Sequence, residues 1–179
     1  MALTPHRYAA NEPPISWVRR FADRIPTGGT VLDVACGAAR HGRFFHARGH
    51  PVVLLDVDIT RITDMASLDG VEIVARDLET GRPWPLSQQA FAGVVVVNYL
   101  HRPVMPDIVA AVAPGGVLIY ETFAIGNEAF GRPANPDHLL RHEELLVAVR
   151  PELRVIAFED LEEREPHPAV KQRIVAVRD

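Results

Sequence analysis

The stretch that decides the fold is VLDVACGAARHG, residues 31–42. Val31, Leu32 and Val34 are typical of a buried strand, and Asp33 lies near its end. Small residues follow around Gly37, and a helix is expected to begin near Arg40. A strand, a small-residue loop and a helix in this order indicate a dinucleotide or nucleoside site, although such loops normally carry more glycine.

Outward from this stretch, short apolar strands alternate with helical stretches, which predicts an α/β fold with a parallel sheet. Strands are expected at about 30–35, 51–56, 71–76, 91–100 and 116–123. Helices are expected at about 15–24, 40–48, 60–68, 103–112 and 138–149. Pro83 and Pro85 exclude a long helix from the segment that follows the third strand.

The C-terminal end departs from this alternation. Residues 153–163 and 169–178 form two further strand patterns, separated only by a polar, proline-bearing loop, and therefore predict a hairpin. We expect a Rossmann-like, doubly wound sheet of seven strands, mostly parallel with an antiparallel C-terminal hairpin. The predicted single domain, 1–179, comprises a helical cap (1–27), a cofactor-binding core (28–122) and a substrate-side loop, helix and hairpin (123–179).

Composition narrows the functional classes. The chain has 179 residues, of which 47% are apolar and 23% charged, as in ordinary globular domains. A net charge of -4 disfavours nucleic-acid binding, so a small-molecule substrate is expected. The single cysteine, Cys36, excludes an internal disulfide and disfavours a cysteine-based metal cluster, so no metal is expected.

The sequence also indicates where in the cell the protein is located and how many copies assemble. No apolar run is long enough to span a membrane, and residues 1–14 show no secretory signal. We therefore expect a cytoplasmic protein with no membrane partner, either a monomer or a homodimer.

An acidic residue lies at the carboxyl end of each of the first three predicted strands: Asp33, Asp56 and Asp77. Ligands of open α/β sheets bind outside the carboxyl ends of the strands, so these acids are expected in one crevice. Asp56 suits a ribose diol, and Asp77 suits the exocyclic amine of a purine. A lone aspartate at a strand end is more often a helix cap or turn residue, but three in register favour a nucleoside site.

The motifs VLDVACGAAR, LLDVD, ARDLE and APGGVLIYETF resemble those of the class I S-adenosylmethionine-dependent methyltransferases. The resemblance covers about residues 28–122, and the terminal hairpin extends it. The chain is similar above all to the small, single-domain enzymes of the tellurite-resistance and thiopurine methyltransferase kind. This implies S-adenosylmethionine as cofactor, S-adenosylhomocysteine as product and methyl transfer to a small molecule.

The resemblance also implies roles for individual residues. The loop from Asp33 to Ala39 would surround the methionine part of the cofactor, and Asp56 would bind the ribose. Arg40, at the start of the following helix, suits either a phosphate or the carboxylate of the cofactor. The adenine would lie beside Val57, Asp77 and Leu78, and Asn98 would face the sulfonium. The expected cofactor-binding residues are Asp33, Ala35, Cys36, Gly37, Ala39, Arg40, Asp56, Val57, Asp77, Leu78 and Asn98.

The first motif departs from its usual pattern because Ala35 and Ala39 stand where glycine is normal. A left-handed conformation costs alanine about 1 to 2 kcal/mol. Gly37 is therefore expected to supply the close approach of the backbone. The methyl group of Ala39 either fits beside the methionine tail or weakens cofactor binding.

Candidates on the acceptor side are less specific. His101 is the best placed general base, or alternatively a surface histidine that starts a helix. Tyr99 is the second catalytic candidate. Residues expected to contact the substrate are Trp17, Tyr120, Glu121, Arg132 and Asn135, and Tyr8 is considered with Trp17 as a cover over the cofactor. For Trp17 and the tyrosines the alternative is a core position, and for Arg132 and Asn135 a self-packed surface loop.

Two other functions remain open. The altered glycine loop is compatible with a non-catalytic protein that binds S-adenosylmethionine or S-adenosylhomocysteine. An NAD-binding oxidoreductase shares the strand, loop, helix and later acid, but the spacing is not G-x-G-x-x-G and the terminal hairpin is unlike the usual dinucleotide sheet.

Overall fold

The computed structural model describes residues 12–165 and 167–179, and its centre is one seven-stranded sheet. The strands are β1 (Val31–Val34), β2 (Val52–Asp56), β3 (Val71–Ala75), β4 (Phe91–Val97), β5 (Val112–Phe123), β6 (Arg154–Glu163) and β7 (Ala169–Val177). Their order is β3-β2-β1-β4-β5-β7-β6. The first five are parallel, and β7 runs antiparallel to both β5 and β6, which confirms the predicted sheet and hairpin.

The helices are shorter than the sequence pattern predicts. They are α1 (Ser16–Phe21), α2 (Arg40–Ala47), α3 (Met105–Ala110) and α4 (Glu144–Val149). Helix α3 ends early because the chain already pairs with Phe91 at Val112, where β5 begins. The last predicted helix begins only at Glu144 because Glu143 is left-handed, with a φ of 54°.

The predicted helix at 60–68 is wrong. Two 3₁₀ turns, Ile59–Arg61 and Thr63–Met65, occupy this region. The side chain of Asp58 accepts a hydrogen bond from the Thr60 N–H and so caps the first turn. Neighbouring β-branched residues lower helix propensity, which explains why a longer helix does not propagate.

Two apolar clusters cover the faces of the sheet. Leu32 and Val34 belong to the cluster beneath α3 and α4, whereas Val31 belongs to the cluster beneath α1 and α2. This alternation follows from the period of two residues in a strand. Within the described residues, no helix is long and apolar enough to cross a membrane.

The segment between β3 and β4 contains no helix in residues 76–90, as its prolines predict. It nevertheless covers the sheet, because Trp84 and Leu86 are buried in the same cluster as Val94 and Val96 of β4. Because β3, β2, β1 and β4 are parallel neighbours in the sheet, their carboxyl ends lie side by side. The residues at and after these ends form the candidate site.

Candidate active site at the carboxyl edge of the sheet

The loop after β1 has an alternating backbone conformation. Ala35, Gly37 and Ala39 all lie in the left-handed region, with φ values of 52°, 58° and 56°. The left-handed conformation is therefore not confined to Gly37. The alanines adopt it as well, at a cost of about 1 to 2 kcal/mol each, so the loop keeps its tight path without the usual glycines.

Ala35, Gly37 and Ala39 differ in what lies next to them. Ala39 is 0% exposed and belongs to the apolar cluster that contains Trp17 and Phe45. Ala35 is half-buried, and a Cβ built on Gly37 would meet no atom of the described part of the chain within 4 Å. The methyl group of Ala39 therefore packs in the core, and Ala35 and Gly37 form the open side of the loop.

Asp33 supports the loop from below. Its side chain is 2% exposed, and Oδ2 accepts a hydrogen bond of 2.8 Å from the backbone N–H of Gly42 in the first turn of α2. Burial raises its pKa to about 7, with the Asp56 carboxylate adding to this, although the Gly42 bond and the Arg40 charge act in the opposite direction. Asp33 thus holds α2 against β1, and little of its surface is left to meet a ligand.

Asp56 has the geometry of a ligand-binding acid. Oδ2 accepts a 2.7 Å hydrogen bond from the Gly37 N–H, and Oδ1 accepts one of 2.9 Å from the Asp58 N–H. A carboxylate has about four acceptor positions, so each oxygen can accept one more bond. Because Asp56 is only half-buried, it can offer these positions to a diol while it ties the β1 loop to the end of β2.

Three further side chains around this loop, those of His41, Arg40 and Cys36, are mostly buried, and two of them are uncharged. Burial, together with the Arg40 charge, lowers the pKa of His41 to about 3, so its ring is neutral and accepts a bond from the Ile15 N–H. Arg40 is mostly buried and lies 3.6 Å from Glu12. Burial raises the pKa of the Cys36 thiol, so Cys36 stays protonated.

The residues expected beside an adenine follow β2 and β3. Val57 is 66% exposed, an unusual position for an aliphatic side chain directly after a buried strand. Asp77 is exposed, and its Oδ1 accepts a 2.8 Å hydrogen bond from the Glu79 N–H. The Leu78 side chain is mostly buried in the core.

The end of β4 is strained and polar. Asn98 is left-handed, with a φ of 58°, and its N–H donates to the Glu121 carbonyl oxygen. Burial raises the pKa of Tyr99, and the carboxylates of Glu79, Asp77 and Asp56 raise it further. The phenol is therefore close to the adenine side of the site and stays protonated, which makes Tyr99 a hydrogen-bond donor and a poor general base.

Several buried polar atoms in the β3–β4 connection and at the end of β4 lack a hydrogen-bond partner among the described residues. Among the described residues, the buried side-chain polar atoms without a hydrogen-bond partner are Arg76 Nε, Trp84 Nε1, Asn98 Oδ1 and Tyr99 Oη. All belong to β3–β4 connecting residues or to the end of β4. Native proteins leave few such atoms, and each needs an explanation such as strain, a catalytic role or a bound water or ion.

Two predicted substrate residues lie in the core. Trp17 is 1% exposed, and its indole N–H donates to the Ile174 carbonyl oxygen. The Tyr120 ring is also buried, and its hydroxyl donates to the Tyr99 carbonyl oxygen. The structure thus gives both residues the core position that the sequence left open, and Tyr8 lies outside the described residues.

Glu121 lies in an ion cluster that joins β5 to the hairpin. Lys171 Nζ lies 3.0 Å from Glu121 and 3.1 Å from Glu163, and Arg173 lies 2.9 Å from Glu163 and 2.5 Å from Glu159. Burial alone would lower the pKa of Lys171, but the carboxylates of Glu121 and Glu163 raise it above its ordinary value. The Glu121 carboxylate therefore already has charged partners.

The connection after β5 is a structured loop that sequence reasoning only partly anticipated. Arg132 and Asn135 are exposed, and the Asn135 side chain accepts a bond from the Asp137 N–H. Arg102, which no sequence motif singles out, donates to the carbonyl oxygens of Asp137 and Leu139. It also forms two bonds with Glu144, of 2.6 and 2.8 Å.

The Arg102 contacts fasten this connection beside the end of β4. His101, the adjacent residue, is half-buried and lines a cavity of about 350 Å³. The candidate base and the loop that carries Arg132 and Asn135 therefore both adjoin the carboxyl edge. Within residues 12–165 and 167–179, neither Arg132 nor Asn135 forms a hydrogen bond or ion pair with the cofactor-side residues.

The strand order and the terminal antiparallel hairpin define the fold, which is that of the class I S-adenosylmethionine-dependent methyltransferases. One similar structure is the 1,6-didemethyltoxoflavin-N1-methyltransferase of Burkholderia thailandensis with bound 1,6-didemethyltoxoflavin and S-adenosylhomocysteine. It is 16% identical, with a TM-score of 0.69, and the match covers 97% of this chain and 79% of that chain. The resemblance predicted from the sequence motifs is thus confirmed at the level of the fold.

TehB from Haemophilus influenzae is also similar, with 15% identity and a TM-score of 0.71. That match covers 94% of this chain and 64% of TehB. A TehB-like SAM-dependent methyltransferase from Corynebacterium glutamicum is 20% identical, with a TM-score of 0.65, over 95% of this chain and 91% of that chain. No protein-family model matches the sequence, and no curated protein matches it.

Proposed function

We propose that this protein transfers a methyl group from S-adenosylmethionine to a small-molecule acceptor. The observation that carries the proposal is the arrangement around Asp56. Its carboxylate accepts the Gly37 and Asp58 N–H groups and keeps one acceptor position on each oxygen, next to a loop whose Gly37 faces open space. This arrangement suits a ribose diol and a closely approaching methionine tail.

The polar groups of the neighbouring strands support the same ligand. Asp77 can accept a hydrogen bond from the adenine amine, and the protonated Tyr99 can donate to the same side of the site. Asn98 Oδ1 is buried and has no hydrogen-bond partner among the described residues. It lies after β4, where an acceptor oxygen would stabilise an electropositive sulfonium centre. Tyr99 therefore fits cofactor binding better than catalysis.

S-adenosylmethionine supplies a methyl carbon whose bond to the positive sulfur breaks as the acceptor lone pair forms the new bond, which leaves S-adenosylhomocysteine. The protein aligns the two groups and excludes water from them. If the acceptor is a hydroxyl or an ammonium group, the His101 imidazole receives its proton. A thiolate or another soft nucleophile needs no such step.

Calorimetry tests the cofactor site. Asp56→Ala is expected to weaken S-adenosylhomocysteine binding by about 1 to 3 kcal/mol, because the ribose loses a charged acceptor and the loop loses its tie to β2. Asp69→Ala is the matched control, since Asp69 is exposed just before β3 begins, at the opposite edge of the sheet. Equal loss in both variants, or no binding by the unaltered protein, would overturn the proposal.

A turnover assay separates catalysis from binding. We expect S-adenosylmethionine to be converted to S-adenosylhomocysteine in the presence of a small acceptor, and the His101→Gln variant to lose rate if the acceptor releases a proton in the reaction. Tight binding without turnover over a broad acceptor panel would support the non-catalytic alternative. Binding of NAD in place of S-adenosylhomocysteine would support an oxidoreductase.

A further inference from the structure

The first turn of α2, residues 40–43, is bonded to the end of β1 and to the loop between them. The backbone N–H of Gly42 donates to Asp33 Oδ2 over 2.8 Å. Arg43 Nε donates to the carbonyl oxygen of Ala38 over 3.2 Å. The turn and the loop therefore form one bonded unit, so a displacement of the turn would change the path of the loop.

The two other residues of the same turn bind the chain segment that precedes α1. Arg40 Nη1 lies 3.6 Å from Glu12 Oε2, and His41 Nε2 accepts a hydrogen bond of 3.5 Å from the Ile15 N–H. Both residues of the turn are buried. The α2 turn thus connects residues 12–15 on one side with the loop after β1 on the other.

Burial makes the position of the Arg40 side chain depend on its charged partners. Arg40 is 9% exposed, and a guanidinium that has lost most of its hydration is stabilised by nearby acids. The chain that carries Glu12 is itself anchored, because Ile15 packs against the apolar cluster that contains Trp17. Loss of the Glu12 carboxylate should therefore let Arg40, and with it the α2 turn, move from its place.

We propose that Glu12 and Arg40 are positioning residues of the cofactor loop, defined as residues 35–39. Their ion pair holds the α2 turn, and the turn holds the loop through Gly42 and Arg43. The consequence for cofactor binding rests on the proposed function, whereas the effect of the ion pair on the loop does not. Arg40 acts through the loop and does not need to contact the carboxylate of the cofactor.

Hydrogen exchange tests the effect on the loop in the absence of any ligand. The N–H groups of Cys36, Gly37 and Ala39 all donate hydrogen bonds, so their exchange rates report how often the loop opens. Glu12→Gln is expected to increase these rates about twofold to fivefold, as for the loss of a partly exposed ion pair.

Asp23→Asn is the matched control. Asp23 lies in the turn after α1 and pairs with Arg48 at the opposite end of α2, so this pair also joins the N-terminal part of the chain to α2. It does so away from the cofactor loop, and its loss should leave the three exchange rates unchanged. Equal acceleration in both variants, or unchanged rates in Glu12→Gln, would overturn the inference.

Calorimetry with two ligands tests whether Arg40 acts through the loop or by direct contact. S-adenosylhomocysteine has a carboxylate, and methylthioadenosine lacks it. Glu12→Gln and Arg40→Gln should each weaken both ligands at least twofold to fivefold, since an open loop also separates Gly37 from Asp56. A loss confined to Arg40→Gln and to S-adenosylhomocysteine would show direct contact with the carboxylate and would overturn the inference.

Two further variants separate positioning from a merely structural role. The double variant should bind little more weakly than Arg40→Gln, because both residues act through one ion pair. Arg40→Lys keeps the positive charge and should retain more affinity than Arg40→Gln. Additive losses, or lower stability of Glu12→Gln with unchanged affinity for both ligands, would contradict the positioning role.

The outcomes distinguish this inference from the proposed function. If the unaltered protein binds neither ligand but Glu12→Gln still accelerates exchange in the loop, the proposed function fails and the positioning of the loop stands. If S-adenosylhomocysteine binds equally to the unaltered protein and to Glu12→Gln, with equal exchange in the loop, the positioning role fails and the proposed function stands.

Discussion

Ala35 and Ala39 share a left-handed backbone but differ in what their methyl groups do. Ala39 packs in the core, whereas Ala35 is on the open side of the loop. Glycine would relieve the backbone cost at either position, but it adds about 0.5 to 1 kcal/mol of unfolded-state entropy. At Ala39 it also removes a buried methyl group worth about 0.8 kcal/mol.

We therefore expect Ala35→Gly to raise the free energy of unfolding by about 0.5 to 1 kcal/mol, and Ala39→Gly to change it little or lower it. Urea unfolding of the two variants side by side measures this difference. A greater stabilisation from Ala39→Gly would contradict the placement of its methyl group in the core.

Asp33 and His41 predict opposing effects of pH on stability. With a pKa of about 7, Asp33 binds a proton in the folded state that the unfolded chain releases near pH 4, so stability falls as pH rises through this window. With a pKa of about 3, His41 stays neutral when folded but protonates near pH 6.5 when unfolded, so stability rises over most of the same window.

The contributions of Asp33 and His41 to the pH dependence of stability should largely cancel in the unaltered protein. Variants that remove one of the two groups should reveal the other. Between about pH 4.5 and pH 6.5, Asp33→Asn is expected to become more stable as pH rises, and His41→Gln less stable, each by about 1 kcal/mol per pH unit. Denaturant unfolding at several pH values measures these slopes. Parallel pH profiles for both variants would contradict the assignment.

At the scale of elements, Arg102 is the main link between the β5–α4 connection and the end of β4. Its planar guanidinium binds Glu144 through two bonds and also holds the carbonyl oxygens of Asp137 and Leu139. Lysine cannot reproduce this fork of donors. The connection should therefore open more readily when the fork is lost.

Arg102→Lys is expected to destabilise the protein by about 1 to 2 kcal/mol and to increase hydrogen exchange in residues 136–144 selectively. Arg154→Lys is the matched control, because Arg154 also pairs with a carboxylate, that of Asp179, but on an exposed surface. Because that pair is fully exposed to solvent, its loss should change the stability far less than the loss of the Arg102 fork. Equal effects of the two substitutions would show that the Arg102 fork does not secure the connection.

The bounds of the strands and helices show how much of the secondary structure the local sequence pattern predicts. The strands and their types follow from apolar runs and alternation, and Pro83 and Pro85 correctly predict a helix-free segment before β4. The helix expected at 138–149 is shortened by a left-handed Glu143. A single left-handed residue leaves no clear signal in a leucine-rich stretch, because the apolar periodicity continues across it.

At the scale of the whole molecule, the ion cluster of Glu121, Glu163, Lys171 and Arg173 joins the parallel part of the sheet to the antiparallel hairpin. Glu121 is 3% exposed, so its charge depends on these partners. Removing one member of a buried ion pair leaves an uncompensated charge, whereas replacing both members is often close to neutral.

Lys171→Met is therefore expected to cost about 3 kcal/mol, and adding Glu121→Gln should restore at least half of that loss. A double-mutant cycle by denaturant unfolding measures the coupling. Additive losses would show that Glu121 does not depend on Lys171.

Some features of the candidate site can be predicted from local sequence, and others depend on contacts between distant segments. The positions of Asp56 and Asp77 at neighbouring strand ends follow from the strand pattern, because parallel strands present their carboxyl ends at one edge. Their hydrogen bonds do not follow from it. The core positions of Trp17 and Tyr120 depend on packing against residues far along the chain, which no local pattern encodes.

By itself, the sequence determined the seven strands, the hairpin and the acids of the carboxyl edge, since these depend on the spacing of apolar residues and turn formers. Only the tertiary structure decided that the Ala39 methyl faces the core, that Asp33 is buried beneath α2, and that Trp84 lines a cavity beside His101. Each of these outcomes depends on contacts between segments distant in sequence, where packing and desolvation determine the direction of a side chain.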